Sequence, residues 1–169
     1  REYYPLSSAQ KRIYFLQQME LESTSYNSKF VQFVADYMER DRFEATLKKL
    51  IDRHESMRTS FHMVDGIPVQ KIHPQVDFAL EYHDVGQMTA GTDQTGKEWY
   101  PVVEELVNGF FRPFDLTQAP LFRAGLVRLP NRHLLWLWDL HHIVSDGSSH
   151  ALLTEDVMKL YTGQVLPQL

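Results

Sequence analysis

The stretch His133-Leu134-Leu135-Trp136-Leu137-Trp138-Asp139-Leu140-His141-His142-Ile143-Val144-Ser145-Asp146-Gly147 decides how this chain reads. Leu134 to Trp138 offers water no polar side, so residues 133–140 are expected as a central strand covered on both faces. Beyond the two histidines the chain turns at Asp146-Gly147 and enters a helix whose face carries Leu153, Val157, Leu160 and Tyr161. A strand end followed by a helix N-terminus is where α/β folds place reactive groups.

The chemistry available at that junction is specific. A histidine there can accept a proton from an attacking nucleophile or hold it in line. The backbone N–H groups of Gly147 and Ser148, with a helix dipole behind them, can stabilise a developing oxyanion. Asp146 is expected to cap the helix or pair with an arginine, orienting the loop without reacting itself. The blander alternative is a core histidine with a satisfied hydrogen bond. A zinc site is disfavoured, because neighbours on a strand point to opposite faces and His141 and His142 cannot readily share one ion. Ser145, Ser148 and Ser149 flank the motif without a Gly-x-Ser-x-Gly elbow, so capping and lining the site are their expected roles.

Working outward, Ser7 and Gln10 have capping-box spacing, and Ala9, Ile13 and Leu16 share a face, which predicts a helix over 8–19. Residues 26–37 read as a long strand, and 41–54 as a helix with a Phe43, Leu47, Leu50, Ile51 stripe. Strands at 57–63 and 67–73 flank Asp65-Gly66, a strong hairpin turn. A short strand is expected at 78–82 and an exposed loop at 85–97, where glycines and threonines gather. Pro101 suits the first turn of a helix faced by Val103, Leu106, Val107 and Phe110. Strands at 121–129 and 133–140 then meet at Pro130-Asn131. Helices and strands mixed throughout predict an α/β sandwich.

Composition narrows the function classes. With 169 residues, 43% hydrophobic and 23% charged, the chain fits one domain or one large lobe. A net charge of −5 argues against a nucleic-acid footprint. No apolar run is long enough to cross a bilayer, and the N-terminus does not resemble a signal peptide. The absence of cysteine excludes disulfides, a cysteine nucleophile and thiolate metal sites, and fits a cytoplasmic location.

Four segments resemble one family. His141-His142-Ile143-Val144-Ser145-Asp146-Gly147 is similar to the HHxxxDG motif of nonribosomal peptide synthetase condensation domains, which is shared across a chloramphenicol acetyltransferase-like superfamily. Ser8-Ala9-Gln10-Lys11-Arg12-Ile13-Tyr14-Phe15-Leu16 looks like the family's S-x-A-Q signature. Arg53-His54-Glu55-Ser56-Met57-Arg58-Thr59-Ser60-Phe61 looks like its RHExLRTxF signature, with Met57 for the usual Leu. Phe114-Asp115-Leu116 with Pro120-Leu121-Phe122-Arg123 resembles a recurring FDL…PLxR stretch. Two departures stand out: residues 36–42 lack a Gly-x-Leu-Asp turn, and Ser148 replaces a bulky residue.

The resemblance implies a chloramphenicol acetyltransferase-like α/β sandwich, with residues 1–169 as the N-terminal lobe of a two-lobe condensation domain whose C-terminal lobe is absent. It implies peptide-bond formation: an acyl or peptidyl group passes from an upstream carrier thioester to the amine of a downstream carrier-bound aminoacyl group. His142 and Gly147 are then the catalytic candidates. His141, Asp146 and Arg58 support the site, Arg58 pairing with Asp146 or, in competition, Asp115 or Asp139. No permanently bound cofactor is expected, since substrates travel on the phosphopantetheine arms of carrier domains. The implied partners are upstream and downstream peptidyl carrier domains, the missing lobe and neighbouring synthetase domains, with no nucleic acid and no membrane. The isolated lobe is expected to be inactive. The alternatives are another HHxxxDG acyltransferase, an epimerization domain, a hydrolase, or a non-catalytic carrier-docking lobe.

Overall fold

The computed structural model describes residues 2–34, 38–87, 99–145 and 149–169. Its centre is the strand that the sequence singles out. Leu134–His141 is buried at every position, because a strand with no polar face must be covered on both. In chain order the elements are β1 (Tyr4–Pro5), α1 (Ser8–Met19), β2 (Asn27–Val34), α2 (Arg40–Arg53), β3 (Thr59–Val64), β4 (Ile67–Ile72), β5 (Glu81–Asp84), α3 (Trp99–Phe110), β6 (Phe122–Arg128), β7 (Leu134–His141) and α4 (Ser149–Tyr161). They form a four-stranded sheet ordered β2-β7-β6-β5 and a three-stranded sheet ordered β1-β4-β3.

Alternation along β7 divides the core. Leu134, Trp136, Trp138 and Leu140 pack with Phe43, Leu47 and Leu50 of α2 and with Leu153 and Val157 of α4. Leu135 and Leu137 face the other way, onto Val103 and Phe110 of α3. Full burial of one such aliphatic or aromatic side chain contributes about 1.5–3 kcal/mol. Gly125 of β6 lets α3 lie close, since a Cβ there would sit 2.9 Å from Phe110 Cε2. A third cluster unites Leu6, Tyr14 of α1, Phe61 of β3, Phe114, Leu116, Leu121 and Ile143. This cluster draws α1, the small sheet and the chain after β7 to one place.

Local chemistry matches these elements. Ser7 and Gln10 close a reciprocal capping box at α1. Asp65 and Gly66 have φ of 52° and 74°, the left-handed pair that a two-residue hairpin turn needs between β3 and β4.

Two expectations shift. Residues 57–58 belong to a 3-10 turn, Glu55–Arg58, rather than to β3. The strand expected at 78–82 lies at Glu81–Asp84, parallel to β6. Its predicted start fails because the Leu80 N–H donates to Glu44 Oε2 on α2, 3.0 Å away, which takes that group out of any ladder. Much of the loop expected at 85–97 falls outside the described residues.

Candidate active site

The site begins where β7 ends. Register pairs Asn27 with His141 and Ser28 with Leu140, so β2 runs beside the histidines. The two imidazoles leave on opposite sides, as alternation requires. The His142 N–H donates to Tyr26 O at 2.8 Å, and its own carbonyl accepts from Ser145 N–H at 3.2 Å, which opens a 3-10 turn over His142–Val144.

His141 is wholly buried, between the rings of Phe114 and Tyr26. Its Nδ1 accepts from the Ile143 N–H at 3.1 Å, and its Nε2 lies 2.8 Å from Gln17 Oε1. An accepting Nδ1 leaves the proton on Nε2, which donates to the glutamine. Gln17 is fixed in turn, its Nε2 donating to Glu20 O at 2.9 Å and Ser23 O at 3.3 Å. Burial, reinforced by the neighbouring His142, pushes the His141 pKa down to about 4, so the ring is neutral at pH 7.

His142 is only half-buried, and its Nε2 lies 3.2 Å from Ser28 Oγ. It opens on a cleft of about 400 Å³ with walls from Ala9, Gln10 and Ile13 of α1, Ser56 and Thr59, Gln70, and Ile143 to Ser145. Gln10 serves twice: its Oε1 accepts from the Ser7 N–H, and its Nε2 donates to Ile143 O at 3.3 Å. The S-x-A-Q segment therefore ties the start of α1 to the loop after His142.

Two residues before the histidine pair, β7 carries a buried charge. Asp139 Oδ2 accepts from Arg123 Nη1 at 2.9 Å and from Asn27 Nδ2 at 3.0 Å. Arg123 also donates to Arg112 O at 2.6 Å and lies 3.7 Å over the Phe114 ring. Burial raises the Asp139 pKa to about 6, against the opposing pull of Arg123.

Among the described residues Arg58 pairs with carbonyls rather than with Asp115 or Asp139, and its expected pairing with Asp146 falls outside them. Its Nε donates to Ile51 O at 3.2 Å and its Nη1 to His73 O at 2.5 Å. Asp139 is taken by Arg123, and Asp115 Oδ1 accepts from the backbone and hydroxyl of Thr117. A guanidinium with carbonyls in reach is satisfied without an anion. Asp146, Gly147 and Ser148 lie outside the described residues, as does the side chain of Ser149. Ser145 lines the cleft. Sequence reasoning missed Ser28, Gln17 and the Arg123–Asp139 pair; strand register could have found Ser28 and the ion pair, whereas Gln17 reaches His141 from α1.

The condensation domain family model matches residues 1–169, and the chain belongs to that family. It is 43% identical over its whole length to tyrocidine synthase 3 of Brevibacillus parabrevis and to bacitracin synthase 3 of Bacillus licheniformis, covering 2% of each. The starter condensation domain of rhizomide synthetase superposes with a TM-score of 0.80 at 26% identity, covering all of this chain and 42% of that one. The fold is the chloramphenicol acetyltransferase-like α/β sandwich of condensation domains. The first condensation domain of the calcium-dependent antibiotic synthetase shares it at 20% identity and a TM-score of 0.80. The chain spans a small part of its curated relatives and about two fifths of these solved domains.

Proposed function

We propose that this chain is the N-terminal lobe of a condensation domain and carries the histidine that serves peptide-bond formation. The observation that carries the reading is the division of labour between adjacent histidines. His141 is neutral, buried and saturated with hydrogen bonds, whereas His142 is half-exposed at the cleft. A reacting group needs access, and an orienting group needs fixed partners.

In the proposed reaction a downstream carrier presents an aminoacyl group whose amine nitrogen attacks the carbonyl carbon of an upstream thioester. The C–N bond forms, the C–S bond breaks, and the sulfur leaves as a thiol with the proton that nitrogen loses. Both substrates ride on phosphopantetheine arms, so the partners are the two carrier domains, the second lobe and neighbouring synthetase domains, in the cytoplasm. His142 accepts the hydrogen bond of the attacking amine. An α-amino group titrates near 7.7, so a neutral fraction exists already and proton removal matters most after attack. Alignment of reactants contributes about 7–11 kcal/mol, more than the 10²–10⁴-fold typical of base catalysis. In this proposal contact with the thioester oxygen is assigned to the Gly147 amide and scaffolding to Asp146, while Arg58 ties the carbonyls of Ile51 and His73 together.

Intact mass spectrometry tests this on the complete condensation domain with a loaded donor and a loaded acceptor carrier. Appearance of the donor mass on the acceptor carrier is expected. Its absence from folded protein across several donor pairs would point instead to a docking lobe or another acyltransferase.

A further inference from the structure

The cross-strand geometry of β2 and β7 singles out a residue that no motif contains. Ser28 is the register partner of Leu140, so the diagonal neighbour on the same face of the sheet is His142. Its Oγ lies 3.2 Å from His142 Nε2. The backbone around both residues is pinned, because Tyr26 O accepts from His142 N–H and the two strands pair from Asn27 to Val34. The hydroxyl therefore meets the imidazole at a fixed point.

We infer that Ser28 is a positioning residue for His142, holding the ring in one orientation through both of its protonation states. This rests on the peptide-bond-forming role proposed for His142. The chemistry favours a hydroxyl over other partners. With Nε2–H donating to the Ser28 hydroxyl, Nδ1 keeps the one lone pair of the neutral ring for the attacking amine, and the hydroxyl goes on accepting from Nε2 once Nδ1 is protonated. A carboxylate could only accept, and would hold the ring protonated; an ammonium could only donate, and would oppose proton uptake. Ser28 keeps the same contact in both states, so no reorientation is needed as the amine loses its proton. His141 cannot take this role, since both of its nitrogens are already committed on the opposite face.

The test uses the complete condensation domain in three forms: wild type, Ser28→Ala and Ser28→Thr. Two readouts are taken, single-turnover transfer between loaded carriers and the ring-nitrogen NMR signals of His142, assigned against His142→Gln. Ser28→Ala is expected to slow transfer about 5- to 30-fold, the effect of one hydrogen bond to a group that gains charge. It should also move the Nε2 signal, and Ser28→Thr should recover most of both. Transfer at the wild-type rate by Ser28→Ala, or an unmoved Nε2 signal, overturns the inference while leaving His142 in its role. If wild type itself transfers nothing, the peptide-bond reading falls, and the Nε2 signal alone decides whether Ser28 holds the ring.

Discussion

Arg123 and Asp139 are register partners across β6 and β7, joined at 2.9 Å, with the carboxylate wholly buried two residues before the histidine pair. The two ends of this pair are unequally provided for. Arg123 keeps carbonyl acceptors and the Phe114 face, whereas Asp139 depends on Arg123 and Asn27. Removing the cation strands a buried anion, at about 3–5 kcal/mol. Arg123→Met is therefore expected to destabilise the domain more than Asp139→Asn, by denaturant unfolding. The reverse order would show that Arg123 is the poorly compensated partner.

The pH dependence of stability contains two opposing contributions. The folded His141 refuses a proton that the unfolded chain accepts below about 6.5, so acidification toward about 4 costs stability. Its size is about 3 kcal/mol at most, from roughly 1.4 kcal/mol per pKa unit. Asp139 acts oppositely: its folded pKa of about 6 exceeds the ordinary 3.8, so protonation between those values favours the fold. Wild type should show a shallow profile from pH 6.5 to 4, and Asp139→Asn a steeper acid loss, read as apparent Tm against pH. Identical profiles would mean that Asp139 does not offset His141.

Gly125 sets how closely α3 approaches the sheet. Gly125→Ala places a methyl 2.9 Å from the Phe110 ring, which is itself buried. Overpacking of this kind costs about 1–3 kcal/mol. Thermal unfolding checks it, and Phe110→Leu in the same background should relieve part of the loss.

Gln10 joins helix capping to the site. Gln10→Ala removes the acceptor for Ser7 N–H and the donor to Ile143 O. About 1 kcal/mol of stability should go with the cap. Transfer between loaded carriers should fall further than Ser7→Ala makes it fall, because only Gln10 reaches the loop beside His142. Equal losses would confine Gln10 to capping.

Much of this architecture is legible in the chain because local signals and burial agree. The all-apolar β7, the capping box at Ser7 and the Asp65-Gly66 turn each have one good solution. The two-sided packing of β7 follows from its composition. What the sequence hides is pairing between distant segments. Asp139 was one candidate among several acids for Arg58, and only strand register gives it to Arg123 while Arg58 turns to carbonyls. Ser28 lies on an ordinary-looking strand, and its meeting with His142 depends on how β2 and β7 align. The strand at 81–84 begins later than its pattern suggests because Leu80 donates its N–H to Glu44, a contact between residues 36 apart.

His142, and not His141, is the residue we propose at the reacting amine. Donor transfer to the acceptor carrier, followed by intact mass in the complete condensation domain, tests it with His142→Ala and His142→Gln. Transfer is expected to collapse in His142→Ala while the folded domain keeps its wild-type Tm, because His142 sits at the cleft and not in the core. His142→Gln should retain part of the rate if orientation dominates. Transfer by His142→Ala at the wild-type rate would remove His142 from the reacting amine.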